Sequence, residues 1–101
     1  MPDKHAALFK ALSSRSRVKI LWLLSQCEEL SVDELTEHIQ LAGPTVSRHL
    51  QVLRLQDLVV VRRHAQNRFY ALNREQLVSK LFVFLQFLGL EMPIPVGKEG
   101  L

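Results

Sequence analysis

Between Val32 and Leu53 the apolar residues recur every three or four positions, first as Val32, Leu35 and Ile39 and then as Val46, Leu50 and Leu53. That spacing places one apolar stripe on each of two consecutive helices. Ser31 is a good N-cap for the first, and Glu34 stands where the acid of a capping box belongs. The turn falls at Leu41-Ala42-Gly43-Pro44, where Gly43 permits a tight reversal and Pro44 suits the first turn of the next helix. Away from its stripe the second helix carries Thr45, Ser47, Arg48 and Arg54, hydroxyl donors and cations together. Two short helices, a tight turn and a polar, cationic second helix form the pattern of a helix-turn-helix, whose second helix enters the major groove of DNA.

The remaining pattern supplies a scaffold. Ala6 to Leu12 reads as a short helix, interrupted at Ser13-Ser14 and followed by a second from Arg15 to about Cys27. Val18, Ile20, Leu21, Leu23 and Leu24 are expected to be buried there, with Trp22 at the margin. After Asp57 the chain turns β-branched, Leu58-Val59-Val60-Val61-Arg62-Arg63, then passes His64-Ala65-Gln66-Asn67 into Arg68-Phe69-Tyr70-Ala71-Leu72. This predicts a two-stranded hairpin whose tip is basic, a wing able to straddle a phosphate backbone or reach a minor groove. Asn73 and Gln76 begin a last helix, Arg74 to about Leu88, stopped by Gly89, Pro93 and Pro95. Its apolar residues cover most of its circumference, which in so short a chain points to a surface shared with a partner. The expected fold is therefore mainly α with a small β-hairpin, a winged helix-turn-helix of five helices plus a two-stranded wing. Residues 1–90 form the single domain and 91–101 a loosely ordered tail.

A chain of 101 residues, 48% of them hydrophobic, has room for one core and not two. Its net charge of +3 permits an anionic partner, and the distribution says more. From Gly43 to Arg74 there are six arginines and one acid, Asp57, whereas Glu28 to Glu37 holds five acids and neither Lys nor Arg. The chain is expected to present its basic span to DNA and turn its acidic span away. The single cysteine, Cys27, excludes an intrachain disulfide and fits a reducing cytoplasm. No signal-peptide pattern opens the sequence, and Leu77 to Leu90 is shorter than the roughly 20 residues that span a bilayer, so no membrane partner is expected.

The order of helices and wing, with Leu12-Ser13-Ser14-Arg15-Ser16-Arg17-Val18-Lys19-Ile20-Leu21 in front and Thr45-Val46-Ser47-Arg48-His49-Leu50 in the middle, resembles the ArsR/SmtB family of winged-helix repressors from about Leu8 to Leu72. The resemblance implies a homodimer built from the first and last helices, here through Leu8, Phe9, Leu12, Leu81, Phe84, Leu85 and Leu88. It also implies binding to an inverted-repeat operator in double-stranded DNA and repression relieved by a signal. The chain departs from the family's metal sensors. Where thiolate sensors carry a Cys-x-Cys pair stand Ser31 and Asp33, and a second site, built from Asp, His and Glu on the last helix, finds only Glu75 between Arg74 and Gly89. Neither metal nor cofactor is expected, and the inducer is unknown. Where many members place Ser-Gln-Ser ahead of Thr-Val-Ser, this chain has Ala42, Gly43 and Pro44.

Candidate DNA contacts are Thr45, Ser47, Arg48, His49 and Arg54 on the helix and Arg62, Arg63, His64 and Arg68 on the wing. For His49 a spacer role at the helix flank competes with phosphate contact, and His5 and His38 read as surface residues. Cys27 is a candidate redox residue, although no second cysteine is present to resolve an oxidised thiol. No catalytic constellation is found, since no His or acid stands at a motif spacing from Cys27 and no glycine-rich phosphate loop occurs. A winged-helix protein-interaction module would share the fold but should lack the cluster of Arg48, Arg62, Arg63 and Arg68.

Overall fold

Local hydrogen bonds fix several of the helix ends. The computed structural model describes residues 3–90, in the order α1 (Asp3–Leu12), α2 (Arg15–Ser25), β1 (Leu30–Ser31), α3 (Val32–Ile39), α4 (Gly43–Leu55), β2 (Val59–His64), β3 (Asn67–Leu72) and α5 (Arg74–Phe87). Ser14 caps α2 by accepting from the Arg17 amide at 3.2 Å. Ser31 and Glu34 form the expected capping box on α3, amide to side chain in both directions at 3.1 and 2.8 Å. Asn73 caps α5 through the Gln76 amide. At the far ends, α4 and α5 both close with Schellman bonds, Leu58 and Asp57 amides to Leu53 and Arg54 carbonyls, and Leu90 and Gly89 amides to Leu85 and Gln86 carbonyls. Asp57 and Gly89 take the left-handed position in these two caps.

The turn between α3 and α4 is built differently from the expectation. The left-handed residue is Gln40, at φ 64°, and Gly43 already belongs to α4. Pro44 explains the glycine. A residue before proline is pushed away from helical backbone by a clash involving its Cβ, and glycine has none.

The core joins all of these elements. Leu8 of α1, Ile20 and Leu24 of α2, Leu35 of α3, Val46, Leu50 and Leu53 of α4 and Leu58 are sealed from solvent, with Leu21, Val59 and Tyr70 beside them. Several expectations are corrected here. Leu8 is only 2% exposed in a single chain, so it belongs to the core and has no surface to offer a partner. His5, read as a surface residue, is buried between the rings of Phe84 and Phe87. Val18 and Trp22 are about half exposed or more, because they sit four residues apart on the face of α2 opposite Ile20, Leu21 and Leu24.

The hairpin is present but carries a third strand. β1 pairs antiparallel with β3, Leu30 opposite Tyr70 and Ser31 opposite Phe69, giving the order β1-β3-β2. Two residues are too few to show a period, and Ser31 also caps α3. The tail assigned to 91–101 lies outside the described residues.

Gln40 gives the first prediction. An L-residue other than Asn or Asp pays about 1 kcal/mol or more in left-handed backbone, so Gln40→Gly is expected to stabilise the fold by about 0.5–1 kcal/mol. Urea unfolding followed by circular dichroism would show the midpoint rise.

Candidate nucleic-acid interface

With Val46, Leu50 and Leu53 fixed in the core, the rotation of α4 about its axis is set, and its opposite face must meet solvent. Pro44, Ser47, Arg48, Gln51, Arg54 and Leu55 are exposed on it. Ser47 and Gln51 are one turn apart, and Arg54 follows a turn later. Gln51 was not among the sequence candidates, although its spacing from Ser47 would have found it; a glutamine amide suits the paired donor and acceptor of adenine. Thr45 is half-buried. No side chain caps the N-terminus of α4, where Ala42 is the N-cap, so the positive end of that helix stays open to an anion.

The wing has two chemically distinct faces, set by its register. Val59 lies opposite Leu72 and Val61 opposite Tyr70, and the next pair on the same face is Arg63 opposite Arg68. At the base this face is core; at the tip it becomes two arginines directly opposite one another. Like charges directly opposite one another are unfavourable, and among the described residues neither is paired with an acid. The other face carries Val60, Arg62 and His64. There Arg62 lies over the Phe69 ring, 4.8 Å from its centroid, and binds Glu29 across β3 at 2.6 and 3.2 Å. The Arg62 bond holds the Glu29 carboxyl below the usual carboxylate range. Arg62 is thus paired with an acid though still exposed, while Arg63, Arg68 and His64 are exposed at the tip with no such partner among the described residues. Ala65 turns the hairpin at φ 57°.

Helix and wing meet in a cleft of about 320 Å³ lined by Ser31, Val32 and Asp33, by Ser47, and by Gln66, Asn67 and Arg68. Two acids of the acidic span are therefore not turned away as expected. Asp33 borders this cleft and Glu29 clasps the wing, because β1 and the start of α3 lie against β3.

His49 stands apart from the other candidates. It is half-buried and its Nδ1 faces the Arg17 guanidinium at 3.1 Å. Partial burial, then the charges of Arg17 and Arg48, depress its pKa from the usual imidazole value. Cys27 is also half-buried, its thiol donating to the Leu23 carbonyl at 3.4 Å. Among the described residues no three His, Cys, Asp or Glu side chains gather as a metal site would require.

A family model described as "Bacterial regulatory protein, arsR family" matches residues 14–61, from the cap of α2 into β2. The arsenical resistance operon repressor of Staphylococcus xylosus is 42% identical over 72 residues, covering 71% of this chain and 68% of the repressor. The chain belongs to the ArsR family. The transcriptional activator HlyU of Vibrio cholerae is 38% identical over 78 residues, covering 77% of this chain and 71% of HlyU. Among solved structures, the homodimeric winged helix-turn-helix DNA-binding domain of a possible ArsR-family regulator from Mycobacterium bovis matches with a TM-score of 0.69 and 32% identity, over 86% of this chain and 79% of that one. The chain spans about two thirds of the length of the curated relatives it matches, between 62 and 68% for the first three. This ArsR-family chain is thus a winged helix-turn-helix of the class used by transcriptional regulators, and none of its described helices is long and apolar enough to cross a membrane.

The Arg62 pair yields the second prediction. Glu29→Gln is expected to leave the fold intact, free one cation per wing and steepen the salt dependence of duplex binding by about one to two counterions per dimer. Fluorescence anisotropy on a scrambled duplex across a salt series measures this; an unchanged slope would show that Arg62 stays out of reach of the backbone.

Proposed function

We propose that this chain is a cytoplasmic, homodimeric transcriptional repressor that binds an inverted-repeat operator in double-stranded DNA and is released by a signal still to be identified. The observation that carries the DNA reading is the Arg63–Arg68 couple on the wing, paired with no acid among the described residues, whose Arg68 lines one cleft with Ser47 of α4. Two opposed guanidiniums without a protein partner are relieved by a phosphate oxygen between them. Ser47, Arg48, Gln51 and Arg54 then address base edges or nearby phosphates, and His64 joins the wing contacts.

The dimer reading rests on α5. Its 14 residues contain none that is buried, although most are apolar. Leu77 and Leu81 touch the core, and Phe84 packs edge-on to Phe9 of α1 at 4.6 Å. Val78, Phe87 and Leu88 remain about half exposed or more, and Phe9 38%. A second copy covering this face would gain about 1.5–3 kcal/mol for each large side chain it buries. Phe9, Phe84, Leu85 and Leu88, with Leu12 and Leu81 behind them, make up that surface. Dyad-related α4 helices would then enter major grooves about one helical turn apart.

Leu88→Glu tests the dimer cleanly, because Leu88 is exposed in one chain and a charge there costs the monomer's fold little. Sedimentation should show a dimer for the wild type and a monomer for the variant; a wild type that is monomeric at micromolar concentration refutes the reading. For DNA, Arg63→Ala with Arg68→Ala is expected to weaken all duplexes alike and flatten the salt slope. Arg48→Ala or Gln51→Ala should instead cost about 1–3 kcal/mol per half-site on the preferred sequence if it removes a base contact. If neither change alters affinity, slope or preference, a protein-interaction role replaces DNA binding. In cells, loss of the gene should raise expression from the operator; a fall would make the protein an activator.

A further inference from the structure

Arg17 of α2 ties two helices of different roles. Its Nε donates to the Ala11 carbonyl at 2.6 Å and Nη2 to the Lys10 carbonyl at 3.2 Å, both in the last turn of α1, while Nη1 reaches Nδ1 of His49 on α4 at 3.1 Å. Carbonyls in a helix's last turn lack intrahelical partners and form its negative end, so a cation there is held by charge as well as by hydrogen bonds. A guanidinium only donates and keeps its proton. The bond to Nδ1 therefore requires a bare nitrogen there, with the ring neutral and its hydrogen on Nε2.

The charges acting on the ring are Arg17 from α2 and Arg48 from α4 itself, both positive. From α1, the Lys10 and Ala11 carbonyls are taken by the same guanidinium, and the Lys10 side chain is exposed. Protonating His49 would set a third cation among these and remove the acceptor that Arg17 uses.

We propose that Arg17 is a positioning residue that fixes the recognition helix against the end of α1 through neutral His49, and that protonation of His49 breaks this tie and weakens DNA binding. The proposal rests on α4 being the DNA-reading helix and adds a pH-dependent control to it. Its sign is opposite to that of a direct contact, since a phosphate favours the imidazolium. Because the folded protein depresses the His49 pKa, the stabilisation from the tie is full above the ordinary imidazole value near 6.5 and is lost as pH falls through the lower folded value.

The test uses the whole chain, with a labelled duplex selected in vitro by the wild type and anisotropy measured from about pH 7.5 to pH 5.5 at fixed ionic strength, alongside ¹H–¹⁵N spectra of the histidine rings without DNA. Wild-type affinity should fall on acidification, towards a limit of about fivefold to tenfold once His49 is protonated. His49→Asn, whose Oδ1 stands near the place of Nδ1 and does not titrate, should keep the neutral-pH affinity and lose that pH dependence. Arg17→Gln should weaken binding at neutral pH without changing the salt slope, and raise the His49 midpoint in the free protein; a thermal melt checks its fold. Affinity that rises on acidification, or a His49→Asn profile matching the wild type, overturns the proposal, as does a His49 midpoint indifferent to Arg17→Gln. Failure to select any duplex would overturn the DNA reading instead, while the ring spectra still report whether the tie exists.

Discussion

The burial of one stripe on α4 is the constraint on which the interface depends. Val46, Leu50 and Leu53 are sealed against α2, α3 and Leu58, and three such anchors spaced over two turns leave the helix no freedom to roll. Rolling α4 to expose any of them would give up a full apolar side chain to water, about 1.5–3 kcal/mol each. The direction in which Ser47, Gln51 and Arg54 point is thus set by apolar side chains that never touch solvent. The Schellman closure at Asp57 then aims β2 back along the core, so the same buried cluster that orients the helix also orients the wing.

The wing repeats this logic with a period of two. One strand face carries Val59, Val61, Tyr70 and Leu72 inward at the base and Arg63 and Arg68 at the tip, so the arginines project on the helix side because the hydrophobic residues below them must. A slip of one residue would put Arg62 on that face and bury the wrong set. β1 guards against such a slip. It fixes the register of β3 from the other edge and brings Glu29 to the back of the hairpin, where the acid and the Phe69 ring hold Arg62 away from the cleft.

This explains what the sequence made legible. The caps at Ser31, Asn73 and Gly89 and the stripes of α3 and α4 are local signals, readable because each partner lies within four residues. The contacts that distinguish one arginine from another are not local. Arg62 meets Glu29 across 33 positions and Arg17 meets His49 across 32, and no spacing rule links either pair. Charge counting therefore found the basic span but could not tell that Arg62 is spoken for and Arg63 is not. Leu8 failed for a related reason. An apolar residue on a short helix reads the same whether its own core or a second chain covers it, and only the packing of α1 on Leu24 and its neighbours separates Leu8 from Phe9.

The division of α1 between these two environments has a mechanical consequence. Leu8 and Ala11 face the core, His5 and Phe9 hold the aromatic rings of α5, and the C-terminal carbonyls are gripped by Arg17. A helix of 10 residues is about 15 Å long and moves as a rigid rod on the scale of a side-chain contact. The contacts of α5 with Phe9 and His5 and the carbonyls bound by Arg17 thus lie on one rigid element, and the same guanidinium reaches α4 through His49. On the proposed reading the dimer face and the DNA face share no residue, and α1 with Arg17 joins them beside the core that Leu77 and Leu81 of α5 also touch.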